Sequence, residues 1–263
     1  NMMELMLDGV SNQHQLTAHY LAGFIKSKNL NLKEEEEGAL ALLTQWDGGH
    51  GLEAQTPVLY YRLLSNILEK AMQDELGQEH FNYFASTHAM KQSYLRFLMA
   101  ENNPWWNDIQ TPQNETKQEV IIGAFKKVVK ELNEEFGQQK LWQWQNAHHL
   151  EHVHPIGRKK PFDRIFNVKA TGVPGGNETI NSSSFPLGNS SVYNVSYGPA
   201  MRRIIDFADT QNSISISPTG QSGYFMSPHY SDQAEMYNHG VFRKQMMKKE
   251  EIINGKIGTI TFF

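Results

Sequence analysis

Histidines crowd into one short stretch, residues 148–154, whose order is H-H-L-E-H-V-H. Within it, His148, Glu151 and His152 have the H-x-x-E-H spacing of a zinc-protease motif. On a helix this spacing would place both imidazoles on one face as Zn²⁺ ligands, with the carboxylate as general base. Pro155 follows at once, so any such helix would be very short. The sequence therefore favours hydrogen-bonded packing histidines over a metal site.

A second set of groups with catalytic chemistry lies near the other end of the chain. Ser222 stands in G-Q-S-G, one residue short of the G-x-S-x-G nucleophile elbow, which also needs a buried strand before it and a helix after it. Here Pro218 precedes the serine and a loop follows. His229 and Asp232 are close in sequence, but short spacing does not create the geometry of a triad. A turn with many backbone hydrogen bonds is the favoured interpretation.

Glycines at residues 172–176, in the order G-V-P-G-G, could form a phosphate-binding loop. The segment lacks the Lys-Ser/Thr ending of a P-loop and does not connect a strand to a helix. A turn between strands is therefore predicted.

The elements that must position these groups differ between the two parts of the chain. Residues 1–141 form a predicted helical segment, because apolar residues recur there at helical spacing. Helices are predicted over about 2–25, from the acidic run 34–37 to Asp47, from Thr56 to Gly77, over 79–99, and from Thr111 to Gly137. Trp105 and Trp106 fall in a predicted loop over 102–114.

Residues 142–263 form a predicted strand-rich segment, punctuated by Gly, Pro, Ser and Asn. The run 213–217 alternates serine and isoleucine, which is typical of a half-buried strand. Further strands are predicted at 164–168, 192–197, 204–207 and 258–263, with a short helix over 232–238. Helices followed by strands predict an α+β fold with a helical N-terminal half and an antiparallel-strand C-terminal half.

Composition excludes several classes of protein. The 263 residues carry a net charge of −4, which offers no electrostatic attraction to nucleic acid. The absence of cysteine excludes disulfides, thiolate zinc sites and a cysteine nucleophile. No apolar run reaches 18 residues, so no membrane span is predicted. Because the first residue is Asn1 rather than Met, we expect a chain that is processed or taken from something longer.

Six segments in order carry a family resemblance. They are residues 2–8, L-L-T-Q-W-D-G at 42–48, W-Q-W-Q-N-A-H at 142–148 with H-P-I-G at 154–157, G-G-N-E-T-I-N at 175–181, Y-G-P-A-M-R at 197–202 continuing to Asp206, and G-Q-S-G-Y-F-M-S-P-H-Y-S-D-Q at 220–233. Together they resemble the penicillin acylases, a family of N-terminal-nucleophile hydrolases. The chain departs from the family pattern at Gln145, where Gly is usual, at Ile156, and at Ala200, where Ser is common.

The resemblance implies a portion of an αββα sandwich that is split into two chains by self-cleavage. In the family a serine at the new N-terminus of the large chain attacks the amide, its own amine acts as base, and backbone N–H groups with an asparagine stabilise the oxyanion. All of these precede the W-D-G segment. The resemblance therefore implies the C-terminal part of the large (beta) subunit, in one structural unit with upstream sequence. It implies no catalytic, cofactor-binding or metal-binding residue here, and neither Asn1 nor Asn12 takes a catalytic role.

The implied activity is hydrolysis of the amide bond of an acylated small molecule, of β-lactam or acyl-homoserine lactone type, with the catalytic residues supplied upstream. The implied partners are the small subunit and the N-terminal part of the large subunit, and neither nucleic acid nor membrane is expected. Calcium is possible in the complete enzyme, and the implied location of this zymogen is periplasmic or secreted. An exposed apolar patch is expected where the partner belongs. The alternative is a non-catalytic scaffold or interaction module derived from the acylase fold.

Overall fold

The computed structural model describes residues 1–187 and 193–263. Its helices are α1 (Met2–Met6), α2 (Asn12–Lys26), α3 (Glu34–Gln45), α4 (Thr56–Ala85), α5 (His88–Met99), α6 (Lys117–Phe136), α7 (Trp144–Ala147), α8 (Asp163–Phe166), α9 (Ala234–Asn238) and α10 (Lys249–Gly255). Its strands are β1 (His149–His152), β2 (Val168–Gly172), β3 (Arg202–Ile204), β4 (Ile214–Ile216) and β5 (Arg243–Lys244). The predicted α+β class is confirmed, with long helices before residue 141 and all described strands after residue 148.

The chain divides into two compact units that alternate along the sequence. Unit 1 consists of Asn1–Leu7, His152–Lys169 and Pro199–Phe263. Unit 2 consists of Asp8–Glu151 and Ala170–Gly198. Within the described ranges 1–187 and 193–263, no helix has both the length and the apolar composition needed to cross a bilayer.

Unit 2 is built around α4, which is buried on all sides along its first half. Every residue from 56 to 68 is buried, as expected of a central helix surrounded by others. One charged residue lies in this stretch, Arg62, whose guanidinium donates to Glu135 on α6 at 2.8 Å and to the Tyr193 hydroxyl at 3.2 Å. A buried charge is tolerated when it is paired and hydrogen-bonded in this way.

Helix α6 shows how local capping chemistry decides where a helix begins. The start predicted at Thr111 is wrong, because α6 begins at Lys117. Thr116 is the N-cap, and it forms a reciprocal capping box with the Glu119 carboxylate. The apolar stripe predicted for this helix is buried from Val120 to Leu132.

Replacing Thr116 with alanine is expected to lower the free energy of unfolding by about 1 kcal/mol, because the Glu119 N–H at the start of α6 loses its side-chain acceptor. Urea unfolding followed by circular dichroism at 222 nm would measure this loss. Thr111→Ala is the matched control, and we expect it to change stability by less than about 0.5 kcal/mol because Thr111 caps no helix. Equal losses in the two variants would contradict the assignment.

Other predicted helix boundaries also change in the structure. The single stretch predicted over residues 2–25 is broken between α1 and α2, where Val10 forms a β-bridge to Gly49 and Ser11 caps α2. The predicted end at Gly77 is a kink within α4, with a positive φ of 69°. The helix predicted over 79–99 is interrupted before α5, where the Thr87 side chain provides a cap.

Unit 1 contains an antiparallel sheet with strand order β3-β4-β5. The strand predicted over 213–217 is confirmed as β4, and the one predicted over 204–207 is shifted upstream to β3. Residues 164–166 form part of α8 rather than a strand, and 258–263 form no strand. A strand was also predicted over 192–197. Residue 192 lies outside the described residues, and residues 193–197 contribute only a β-bridge between Tyr197 and Ser184.

Candidate functional site

Three of the sequence motifs meet in the interior of unit 2. Two of them, at 42–48 and 142–148, contribute side chains to what we call the aromatic–histidine cluster, in which every member is at most 5% exposed. Ring centroids of neighbouring members lie 4.4–6.1 Å apart, the range of favourable aromatic contact. The members are His14, Trp46, His50, Tyr60, Tyr61, Trp144, His148, Phe185 and Tyr193.

The W-D-G segment contributes a turn that lets the chain near residue 10 approach closely. Gly48 has a φ of +85°, and a Cβ there would lie 2.5 Å from the carbonyl oxygen of Ser11. The Trp46 indole N–H donates to the Gly49 carbonyl at 2.9 Å, and the Asp47 carboxylate accepts from the Gly49 N–H at 2.8 Å. The motif residues therefore shape and close this turn.

The W-x-W-x-x-x-H segment contributes stacked rings. Trp144 stacks on His148 with ring centroids 4.4 Å apart, and its indole N–H donates to the Gly175 carbonyl at 2.9 Å. His148 Nδ1 lies 2.5 Å from the Tyr193 carbonyl, so this nitrogen carries the proton and donates. These contacts tie the segment to the glycine turn over 175–181.

The segment predicted as a possible phosphate loop packs against protein instead. Gly175 has a φ of +87°, and a Cβ there would overlap the carbonyl oxygen of Asn181. The side-chain amide of Asn177 is buried and bonded on both sides, donating to the Phe185 carbonyl and accepting from the Phe185 N–H. The glycines are needed for backbone conformation and close approach, as the turn interpretation predicts.

Gly175→Ala is expected to lower the free energy of unfolding by roughly 2–4 kcal/mol, because it forces a left-handed backbone on a residue with a Cβ and crowds a carbonyl oxygen. The matched control is Gly123→Ala in α6, where an added Cβ meets nothing within 4 Å. That variant should gain roughly 0.5–1 kcal/mol from better helix propensity. Urea unfolding of both variants would check the opposite signs, and a loss of stability in both would contradict the assignment.

Burial fixes the protonation state of the cluster. Desolvation lowers the pKa of His50 to about 4 and that of His148 to about 3, and it also lowers the pKa of His14. Desolvation raises the pKa of Tyr61 as well. At neutral pH the cluster thus holds uncharged imidazoles and phenols with almost no access to solvent. Such groups can pack and hydrogen-bond, but they cannot reach a substrate.

The histidine-rich stretch is not carried on a helix. Residues 149–152 form strand β1, so the one-face arrangement that H-x-x-E-H requires is not present. His148 is buried by the stack on Trp144. Across residues 1–187 and 193–263, no group of three or more His, Cys, Asp or Glu side chains could hold a metal ion.

The serine turn of unit 1 is organised by backbone hydrogen bonds. The N–H groups of Gly220 and Ser222 donate to the carbonyls of Tyr230 and His229 at 2.9 and 3.0 Å. A Cβ at Gly220 would overlap the His229 carbonyl oxygen. His229 and Asp232 do pair, at 3.0 Å between Nδ1 and Oδ2, whereas the Ser222 hydroxyl accepts from the Tyr224 N–H at 3.1 Å. The structure therefore brings together the imidazole and the carboxylate, but it shows no serine–histidine hydrogen bond.

Two more motif segments have packing roles in unit 1. The guanidinium of Arg202, from the G-P-A-M-R segment, lies over the Tyr237 ring at 3.9 Å and donates to the Tyr237 carbonyl at 2.6 Å. Gly157, from H-P-I-G, lies so close to Asn167 that a Cβ would overlap its side-chain oxygen. That oxygen accepts from the His154 N–H at 3.0 Å.

Sequence reasoning missed the most connected histidines of unit 2. His14 and His50 were not singled out, yet both contact the Tyr61 hydroxyl, at 3.2 and 3.0 Å. The available signal was the position of His50, directly after W-D-G-G.

A separate polar cleft of about 550 Å³ lies between α4 and α6. Its lining residues include Glu69, Lys70, Asp74, Asp108 and Lys127.

Comparison with known proteins identifies relatives of this chain. The sequence model of the penicillin amidase family matches residues 1–254. An acyl-homoserine lactone acylase, QuiP, from Pseudomonas syringae pv. tomato is 25% identical over 227 residues, which cover 82% of this chain and 27% of that protein. The QuiP protein from Pseudomonas aeruginosa is 27% identical over 216 residues, 75% of this chain and 25% of that protein.

A solved structure shows the same fold. The thermostable penicillin G acylase from Alcaligenes faecalis superposes with a TM-score of 0.53 at 17% identity, covering 95% of this chain and 45% of that chain. The described chain thus spans about a quarter of the length of the curated relatives and under half of this structural neighbour. With the family model matched over nearly all of its length, the chain belongs to the penicillin amidase family.

Proposed function

We propose that these residues are the C-terminal portion of the large subunit of an amidase that hydrolyses acylated small molecules, of β-lactam or acyl-homoserine lactone type. The observation that carries the proposal is the family match over residues 1–254, in a chain whose segments at 42–48 and 142–148 place buried aromatic side chains in the core. The names of the QuiP relatives favour an N-acyl-homoserine lactone as the first substrate to test. The attacking group would come from sequence upstream of this segment.

Contacts of the candidate nucleophiles support an upstream catalytic group. The Asn1 side-chain oxygen accepts from the Met3 N–H at 3.0 Å as a helix cap. The α-amine of Asn1 lies 3.4 Å from the Glu4 carboxylate. An asparagine side chain is an amide and does not attack carbonyls. Ser222 has no hydrogen bond to a base among the contacts of the described residues. Neither Asn1 nor Ser222 therefore combines a nucleophile with an adjacent base, as covalent hydrolysis requires.

Exposed apolar side chains in unit 1 support a covering partner. Phe207, Ile257, Ile260 and Phe262 are each at least 81% exposed. Large apolar groups of this kind are commonly covered by a partner surface. The proposed partner is the remainder of the acylase, namely the small subunit and the N-terminal part of the large subunit. A periplasmic or secreted location, and calcium bound by residues outside this segment, form part of the same proposal.

The test compares two purified proteins from the same gene, the 263-residue chain and the longest polypeptide that includes it. Each is incubated with N-acyl-homoserine lactones of several chain lengths and with penicillin G, and the released acid and amine are measured by mass spectrometry. We expect turnover by the longer protein only. Turnover by the 263-residue chain alone would refute the upstream placement of the catalytic residues.

The same comparison addresses the alternative of a scaffold. A longer protein that folds and binds acylated ligands without releasing acid would favour a non-catalytic module. Metal analysis of the purified chain, with His148→Ala as control, tests the zinc interpretation separately. Stoichiometric zinc in the wild-type chain, lost in the variant, would contradict the strand-borne packing role of these histidines.

A further inference from the structure

The polar cleft of about 550 Å³ in unit 2 is bordered by three parts of the chain. Helix α4 forms one wall, α6 forms the other, and residues 108–110 lie at one end. The Asp74 carboxylate accepts from the Ile109 N–H at 2.7 Å, which fastens this loop to α4. A volume of this size falls within the range of sites for small molecules.

The side of α4 that lines the cleft is polar at every position. Its residues recur at the spacing i, i+3, i+4, i+7 and i+8, which places them on one face of the helix. A helix face that is turned toward another helix is ordinarily apolar, so packing against α6 does not account for this stripe. Its residues are Asn66, Glu69, Lys70, Gln73 and Asp74.

The opposite wall, on α6, includes small and apolar positions that leave the cleft open. Val120 and Ala124 are buried there, and an added Cβ at Gly123 would meet no heavy atom within 4 Å. Neither a left-handed φ nor a close neighbour requires glycine at this position, although glycine within a helix costs about 1 kcal/mol relative to alanine. The missing side chain is explained by the space that it leaves in the cleft.

Both ammonium groups that line the cleft already face a carboxylate. Lys70 Nζ lies 3.6 Å from Asp108 Oδ2, and Lys127 Nζ lies 3.6 Å from Glu131 Oε1. An anionic ligand would therefore have to compete with a carboxylate of the protein for either lysine. The charge balance of the cleft favours a cationic ligand instead.

Two hydrogen-bond acceptors that line the cleft are unused. The Glu69 carboxylate has no hydrogen bond or ion pair with any residue in the described part of the chain. Asn66 is only 4% exposed, and its Nδ2 donates to the Arg62 carbonyl at 3.0 Å, whereas its Oδ1 accepts from none of the described residues. A buried amide oxygen without a donor is costly, so we expect a donor from outside the chain at this position.

We propose that the cleft between α4 and α6 binds a small aliphatic amine in its ammonium form. Glu69 and Asn66 are three residues apart on α4, so their side chains are neighbours and can accept from the same ammonium group, which has three donors. The aliphatic chain of the ligand lies along Val120, Gly123 and Ala124 on α6. This binding site goes beyond the proposed amidase function and does not depend on it.

An NMR titration of the ¹⁵N-labelled whole chain tests the site with three probes that share one carbon chain, namely butylammonium, butanol and butyrate. Phosphate buffer is used because Tris is itself an ammonium. We expect butylammonium to shift the amide signals of Glu69 and Gly123 in a saturable way, and to bind roughly 10-fold more tightly than butanol or butyrate, because only the ammonium makes charge-assisted hydrogen bonds. Absence of saturable shifts at the cleft, or equal binding of the three probes, would overturn the proposal.

Two pairs of variants separate the charge of the cleft from its space. Glu69→Gln should weaken butylammonium binding roughly 10-fold, whereas Glu79→Gln, on the same helix but outside the cleft, should change it less than threefold. Gly123→Leu should abolish binding by filling the cleft, while Gly123→Ala should retain it within about threefold, and both remain helical because leucine and alanine favour helix over glycine. Equal effects within either pair would contradict the site. Amidase turnover is not measured, so the proposed function and the amine site can fail separately.

Discussion

Trp144→Ala is expected to lower the free energy of unfolding of unit 2 by about 4–6 kcal/mol, the largest effect of any single substitution considered. Loss of a fully buried indole costs about 3–5 kcal/mol in transfer and cavity terms. The Gly175 carbonyl also loses its donor, which adds about 1 kcal/mol or more. The indole is fully buried against Tyr61, His148 and Tyr193, so surrounding side chains have little freedom to fill the space.

Urea unfolding followed at 222 nm would measure this loss, because most of the helical residues belong to unit 2. Trp144→Phe keeps a ring in the stack and removes the indole N–H, so we expect a smaller loss of about 1–3 kcal/mol. Trp105→Ala is a matched control, since Trp105 is only partly buried at the margin of the core. An equal loss of unfolding free energy in Trp105→Ala and Trp144→Ala would show that the aromatic–histidine cluster contributes no more to stability than the margin of the core.

The stability of unit 2 is expected to fall by about 4 kcal/mol between pH 7 and pH 5. Burial lowers the pKa of His50 to about 4 and that of His148 to about 3, against an ordinary value near 6.5 in the unfolded chain. The unfolded state therefore binds more protons as the pH falls below 6.5, so stability is full above that pH and declines below it. Each of these two histidines accounts for roughly 2 kcal/mol of the loss at pH 5.

Denaturant midpoints measured at half-unit intervals from pH 7 to pH 5 would check this slope. The double variant His50→Gln/His148→Gln should lose the part of the slope that these two residues cause and keep the part due to His14, whose pKa burial also lowers. His80→Gln should keep the wild-type slope. Burial and the nearby Asp74 raise the pKa of Glu75 to about 7. Protonation of Glu75 in the folded state therefore adds stability as the pH falls, which opposes the effect of the histidines. Glu75→Gln removes that contribution. A wild-type profile without a decline above pH 5 would contradict the assignment of neutral buried imidazoles.

Helix existence was predictable from sequence, whereas helix ends were not. Apolar spacing identified the buried stripe of α6, but the start predicted at Thr111 was too early. Only Thr116 has a glutamate three residues later that completes the capping box. Strands were harder, because their pairing depends on contacts distant in sequence. The run 213–217 was recognised by its alternation, while residues 164–166 have strand-like composition and form a short helix.

For the site, the motif residues could be identified from sequence, but their meeting place could not. The segments at 42–48, 142–148 and 175–181 are separated by long stretches of chain and are joined by bonds such as that from the Trp144 indole to Gly175. His14 and Tyr61 carry no motif of their own, since an isolated histidine or tyrosine in a helix has the same sequence appearance whether buried or exposed. Their role follows only from three-dimensional contacts, which include the Tyr61 hydroxyl shared by both histidines.

The interleaved order of the two units has a consequence for synthesis on the ribosome. Unit 2 lacks its final segment until residues 170–198 have left the exit tunnel, and Phe185 and Tyr193 of the aromatic–histidine cluster are in that segment. Residues 1–7 of unit 1 emerge before unit 2, yet most of their unit, residues 199–263, is translated after it. Residues 1–7 must therefore stay unassembled while unit 2 folds, which makes translation pausing and chaperone capture before residue 199 relevant to yield.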